Sequence, residues 1–212
     1  MPNQSQNSRE LPVETRAAPV ERVDEASRII TVVWTTGASV ERRDFWTGER
    51  YVEELVVSAD AIRMQRLNAG APLLDSHNFY AGVGAQLGVV ERAWLEGSRG
   101  LADIRFPKAD DDAEADKVFR KVRDKIIRSV SVGYKRNKIE VDRKKDPVVY
   151  RVVDWEPFEI SLVSVPADPE AQVRQQRDAL GLHACSFIEQ SNAADAAIAR
   201  MRMAQRSIDL AR

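Results

Sequence analysis

A mainly β fold (α+β) is predicted: an antiparallel β-barrel, closed or nearly closed, flanked by a few helices. Short runs rich in Val, Ile, Thr, Tyr and Trp recur along the chain, glycines and prolines stand between them, and one stretch alone has clear helical periodicity. With 212 residues the chain can bury one full core, and a second would be a tight fit. The expected layout is a disordered N-terminal tail at 1–10, a domain at 11–170 and a helical or disordered tail at 171–212.

The first ten residues are polar and offer too little apolar surface to offset ordering entropy. Strands are expected at 28–36 and 51–57, with Gly37 and Gly48 turning between them. Ser58 is placed to cap a short helix over 59–67, which Asn68 and Gly70 stop. Gly82, Gly84 and Gly88 suggest bends or close backbone approach ahead of a strand at 89–95, and Gly97 and Gly100 precede another at 101–106. Asp110, Asp111 and Asp112 complement the positive end of a helix whose apolar stripe reads Val118, Val122 and Ile126, with Phe119 beside it. The alternation over Ser129–Tyr134 is that of a half-buried strand, and two more follow at 148–153 and 159–165. Pro166 and Pro169 close the β pattern, and the Ala-, Gln- and Arg-rich remainder includes a solvated or partner-dependent helix over 194–210.

The 32 basic and 33 acidic residues nearly cancel, which removes a global footprint for nucleic acid or an anionic membrane. One cysteine, Cys185, excludes an internal disulfide, and it reads as a reduced thiol outside the core. Two histidines, His77 and His183, form no cluster at zinc-ligand spacing, so neither metal nor cofactor is expected. The first residues lack the apolar core of a secretory signal, and no apolar run approaches bilayer length. The expectation is a soluble, cytoplasmic protein.

Three separated residues carry the chemistry. A serine hydroxyl attacks well only when a base takes its proton, and the base works best when a carboxylate fixes its tautomer. His77 follows the apolar pair Leu73 and Leu74, which would anchor its segment and leave the imidazole free; Asp75 could orient it, although the segment also reads as a plain turn. Ser131 would ordinarily be a polar-face strand serine, but Gly133 allows a backbone or substrate to approach closely. Ser129, with the same side-chain direction, is the second candidate nucleophile. Glu159, between Trp155, Pro157 and Phe158 and an apolar run, must be partnered or at an edge. On chemistry alone a serine hydrolase ranks above other enzyme classes.

Ser131–Tyr134, followed by a β-rich connection to the block Glu159–Val165 and then Pro166 and Ala167, resembles the tailed-bacteriophage prohead proteases, relatives of the herpesvirus assemblins. The resemblance covers about residues 11–171, and His77, with Asn78 after it, stands where that family carries its histidine. It implies a barrel of assemblin type, Ser131 as nucleophile, His77 as general base and later acid, and Glu159 as third triad member. Assemblins use a second histidine there, and this chain has none between Ser131 and His183. The arginine pair of the assemblin oxyanion hole is also missing from Ser164–Ala171, which leaves backbone amides as donors. The implied activity is a serine endopeptidase that cuts phage scaffolding protein, capsid-protein segments and itself inside the immature capsid, in the host cytoplasm. A homodimer is raised by the same resemblance, because assemblins are activated by dimerisation.

Two other classes compete. A non-catalytic capsid-assembly or scaffold protein would retain the fold and lose the triad. A nucleic-acid-binding face could be built from Arg120, Lys121, Arg123, Lys125, Arg128, Lys135, Arg136, Lys138, Arg143, Lys144 and Lys145, but the acids from Asp110 to Asp116, with Asp124, Glu140 and Asp142, interrupt it, so no specific nucleic-acid partner is expected.

Overall fold

Alternating apolar residues and polar turns divide the chain into strands β1 (Gln6–Pro12), β2 (Glu14–Asp24), β3 (Ile29–Thr35), β4 (Val40–Arg43), β5 (Arg50–Leu55), β6 (Pro72–Asp75), β7 (Gln86–Glu96), β8 (Arg99–Arg105), β9 (Ser129–Asp142), β10 (Val148–Val163) and β11 (Leu182–Glu189). Among the described residues two α-helices accompany them, α1 (Gln65–Asn68) and α2 (Ala113–Arg123). The structure, a computed structural model, describes residues 6–12, 14–44, 46–164 and 182–189.

The mainly β expectation holds, and its antiparallel form is corrected. All the strands join one mixed sheet in the order β1-β11-β9-β2-β3-β8-β7-β6-β10-β5-β4, with a further pairing of β9 to β10. Pairings therefore run from β9 through β2, β3, β8, β7, β6 and β10 and return to β9. β5 and β6 both run parallel to β10, and β11 runs parallel to β9. The cause lies in segment 51–75, which tracks along one edge of β10: β5 pairs with Val148–Val152, Ile62 bridges to Trp155, and β6 pairs with Ile160–Leu162. That bridge also shortens the helix expected at 59–67. Ser58 closes a turn through its carbonyl, which accepts from the backbone N–H groups of Ala61 and Ile62, and helix remains only over α1.

The two strands expected at 148–153 and 159–165 are one continuous strand, β10, and β9 runs on from Tyr134 to Asp142 to match it. β11 lies within a segment read as a tail and β1 begins in the other: β11 pairs with Lys138–Val141 of β9, and β1 pairs along β11. The physical reason is burial, because Cys185 and Phe187 alternate on β11 and both enter the core. Cys185, expected outside the core, is 1% exposed. The helix expected over 194–210 lies outside the described residues.

α2 forms as its sequence demands. The Asp112 side chain accepts from the Ala115 backbone N–H at 2.9 Å, Glu114 and Asp116 occupy the first turn, and Arg120, Lys121 and Arg123 the last. Ala115, Phe119 and Val122 face the core. Ile126, expected to extend that stripe, is exposed, because the helix ends at Arg123 and Lys125 turns the chain with a φ of 59°. The core centres on Trp155, against which Trp34 and Tyr134 pack edge to face, and on Val130, Val132, Ile160 and Leu162 from the central strands. Gly88 is the close approach its position suggested: an added Cβ would fall 2.6 Å from the Arg105 carbonyl oxygen.

A second buried feature is polar. Glu53 on β5 is fully buried and accepts from Arg42 (2.9 Å), Arg136 (3.0 Å) and the Tyr134 hydroxyl, while Arg136 also donates to the Tyr51 hydroxyl at 2.9 Å. Arg136 belongs to the basic series that a nucleic-acid face would need, yet it is 2% exposed and committed to Glu53.

Candidate active site

The central pair β9 and β10 sets two faces. Cross-strand partners share a face, and so do residues two apart along a strand. Ser131 pairs with Ser161 and Gly133 with Glu159, so these four residues share one face. Val130, Val132, Ile160 and Leu162 project from the other face into the hydrophobic core. The strand is buried on both sides, not half-buried as its alternation suggested: Ser131 is 1% exposed, and Glu159 and Ser161 are fully buried.

His77 reaches this face from the end of β6. Parallel pairing sets Leu74 beside Ser161 and Asp75 beside Leu162. The chain then reverses through Ser76 and His77, with φ of 50° and 57°. Left-handed backbone at two successive non-glycine residues costs about 1–3 kcal/mol each, a cost that persists only where neighbours hold it. They do: the Ser76 N–H donates to the Leu162 carbonyl at 2.9 Å, and the His77 N–H donates to Ser161 Oγ at 3.0 Å.

This turn brings the imidazole, 7% exposed in its residue as a whole, onto the Glu159 carboxylate. His77 Nδ1 lies 2.7 Å from Glu159 Oε1. A carboxylate only accepts, so Nδ1 carries the proton and Nε2 presents a lone pair. The other carboxylate oxygen, Oε2, accepts from Ser161 Oγ at 2.7 Å. Asp75, the other candidate orienting group, is exposed and accepts from Ser76 Oγ.

Gly133 has a different neighbour from the one its position suggested. An added Cβ would collide with Glu159 Oε1, so the missing side chain is the space in which this carboxylate lies. Ser131 Oγ is buried and makes no hydrogen bond. Such a group costs about 1–3 kcal/mol and calls for an explanation. Ser129, at the start of β9, is less buried and pairs with Val163, one step further from Glu159. Phe79 flanks the site, its ring between those of His77 (6.5 Å) and Phe158 (5.9 Å).

Sequence reasoning singled out His77, Ser131 and Glu159, and His77 and Glu159 are in contact while Ser131 shares their sheet face across from Ser161. It missed Ser161. The available signal was the two-residue spacing from Glu159, which puts both side chains on one face of a strand.

The family described as Caudovirus prohead serine protease matches this chain over residues 95–185. The matched residues include Ser131, Gly133, Glu159 and Ser161, and His77 lies upstream of them. The major capsid protein of Halomonas phage phiHAP-1 is 40% identical over 135 residues, which cover 63% of this chain and 21% of that protein. The chain thus spans about a fifth of the length of this relative. No solved structure matches the chain. Among the described residues no helix is long and apolar enough to cross a membrane.

Proposed function

We propose that this protein is a serine endopeptidase of phage capsid maturation, with Ser131 as nucleophile, His77 as general base and Glu159 as the orienting acid. The observation that carries this reading is the 2.7 Å contact of His77 Nδ1 with buried Glu159, on the same sheet face as a buried Ser131 hydroxyl that has no partner. With Nδ1 held by the carboxylate, Nε2 takes the Ser131 proton as Oγ attacks the scissile carbonyl. The imidazolium then protonates the leaving amine, and water releases the acyl group by the reverse sequence. Glu159 stabilises the positive charge on the ring while it lasts. Ser131 is 1% exposed, so a polypeptide reaches it only after local opening of the structure.

The substrates on this reading are scaffolding protein, capsid-protein segments and the protease itself, cut inside the assembling prohead in the host cytoplasm. The circuit of pairings through β9, β2, β3, β8, β7, β6 and β10 is consistent with a barrel of assemblin type, and a homodimer as its active state follows from the same likeness. The test is co-expression with the neighbouring capsid and scaffolding proteins. New termini are expected with wild type and none with Ser131→Ala; equal cleavage by both would end the assignment or move the nucleophile to Ser129.

A second reading has one observation in its favour: the 40% identical relative is named as a capsid protein. A non-catalytic assembly role retains the fold and gives no new termini with either protein, while capsid assembly fails when the chain is removed.

A further inference from the structure

We infer that Ser161 is a positioning residue that locks the His77–Glu159 pair, a role that rests on the proposed peptidase reading and deepens it. Ser161 is fully buried, so its single hydroxyl must find its partners inside the protein. It has two, and both belong to the pair. Oγ donates to Glu159 Oε2 at 2.7 Å and accepts from the His77 backbone N–H at 3.0 Å.

The two bonds act on different freedoms. Glu159 has rotatable bonds that would let its carboxylate swing or twist; a bond to Oε2 fixes the twist and so aims Oε1 at Nδ1. His77 sits in left-handed backbone, and the bond to its N–H pins that turn to β10. Ser161 therefore ties the loop that carries the base to the strand that carries the acid. Gly133 completes the arrangement by leaving the volume in which the carboxylate lies. Ser161 is not itself placed as the nucleophile, because its proton is directed at Glu159 and its contact with His77 is through the backbone, not the ring.

Two readouts on purified protein test this role separately from the peptidase reading. The first is the low-field Nδ1 proton resonance of His77, which needs no substrate. The second is the rate at which a fluorophosphonate labels Ser131: the Oγ–P bond forms, the P–F bond breaks, fluoride leaves, and the serine proton goes to His77 Nε2. Ser161→Ala is expected to lose or shift the Nδ1 resonance and to slow labelling about tenfold or more, the rate equivalent of a hydrogen bond to a charged group. Ser161→Thr keeps the hydroxyl and should rescue both, which a merely structural role would not predict. Should the alanine variant fail to fold, Ser161→Cys keeps the volume with a weak donor and is read in the same way. A wild-type resonance in a folded Ser161→Ala or Ser161→Cys protein overturns the positioning role. Wild-type protein that resists labelling at Ser131 overturns the nucleophile assignment instead, and the resonance still reports on Ser161.

Discussion

At the scale of single residues, the candidate site carries an unusual stability signature. A buried hydroxyl with no partner is a liability, so on the proposed function Ser131→Ala should abolish cleavage and leave stability unchanged or raised by about 1 kcal/mol, as measured by urea unfolding. A drop of several kcal/mol would show that the hydroxyl is bonded in solution. Gly133→Ala should act in the opposite sense. Its methyl group would occupy the space of Glu159 Oε1, so a loss of about 1–3 kcal/mol is expected together with loss of cleavage. Glu159→Gln retains an acceptor for Nδ1 but not the charge that steadies the imidazolium; a small residual cleavage rate is expected, against none for Ser131→Ala or His77→Ala. Full activity in the glutamine variant would transfer the orienting role to Asp75. The spacing of Glu159 and Ser161 was legible in the sequence, and what it meant was not, because a strand reveals which side chains share a face and not what a distant loop brings to them.

At the scale of elements, β10 organises the molecule. One edge takes β9 along its length, and the other takes β5, Ile62 and β6 in turn, so the loop bearing His77 inherits its position from the parallel register of β6. Parallel pairing was the part of the sheet that the sequence did not disclose. Alternation in 51–57 and in 72–75 marks strands, but the direction of pairing depends on how segment 51–75 crosses the molecule. The same strand β5 contributes Glu53, which holds two buried arginines. Removing the carboxylate there takes the ion-pair partner Glu53 from two buried cations, and Glu53→Gln should cost about 3–5 kcal/mol in urea unfolding. A loss under 1 kcal/mol would mean that water reaches the cluster.

At the scale of the whole molecule, the sheet extends beyond the segment that composition marks as the domain. β11 adds Cys185 and Phe187 to the core, and β1 covers its outer edge. Burial pushes the Cys185 thiol up to about 12, from an ordinary value of 9.0. The folded state therefore keeps a proton that the unfolded chain releases first, and this contribution to stability is present below pH 9.0 and is lost as pH rises from there towards about 12. Native protein should accordingly resist a disulfide reagent at neutral pH and react once unfolded. Prompt reaction of the native thiol would place β11 outside the folded unit.

The sequence by itself determined the strand-rich class and the acidic run ahead of α2, and it put forward His77, Ser131 and Glu159 as candidates, because each is written in local spacing, residue type or motif. Tertiary structure decided the rest: the mixed sheet, the joining of β1 and β11 to it, the pairing of His77 with Glu159 and not Asp75, and the bonds of Ser161. These depend on contacts between segments far apart in sequence, such as His77 with Glu159 at a separation of 82, which no local pattern encodes.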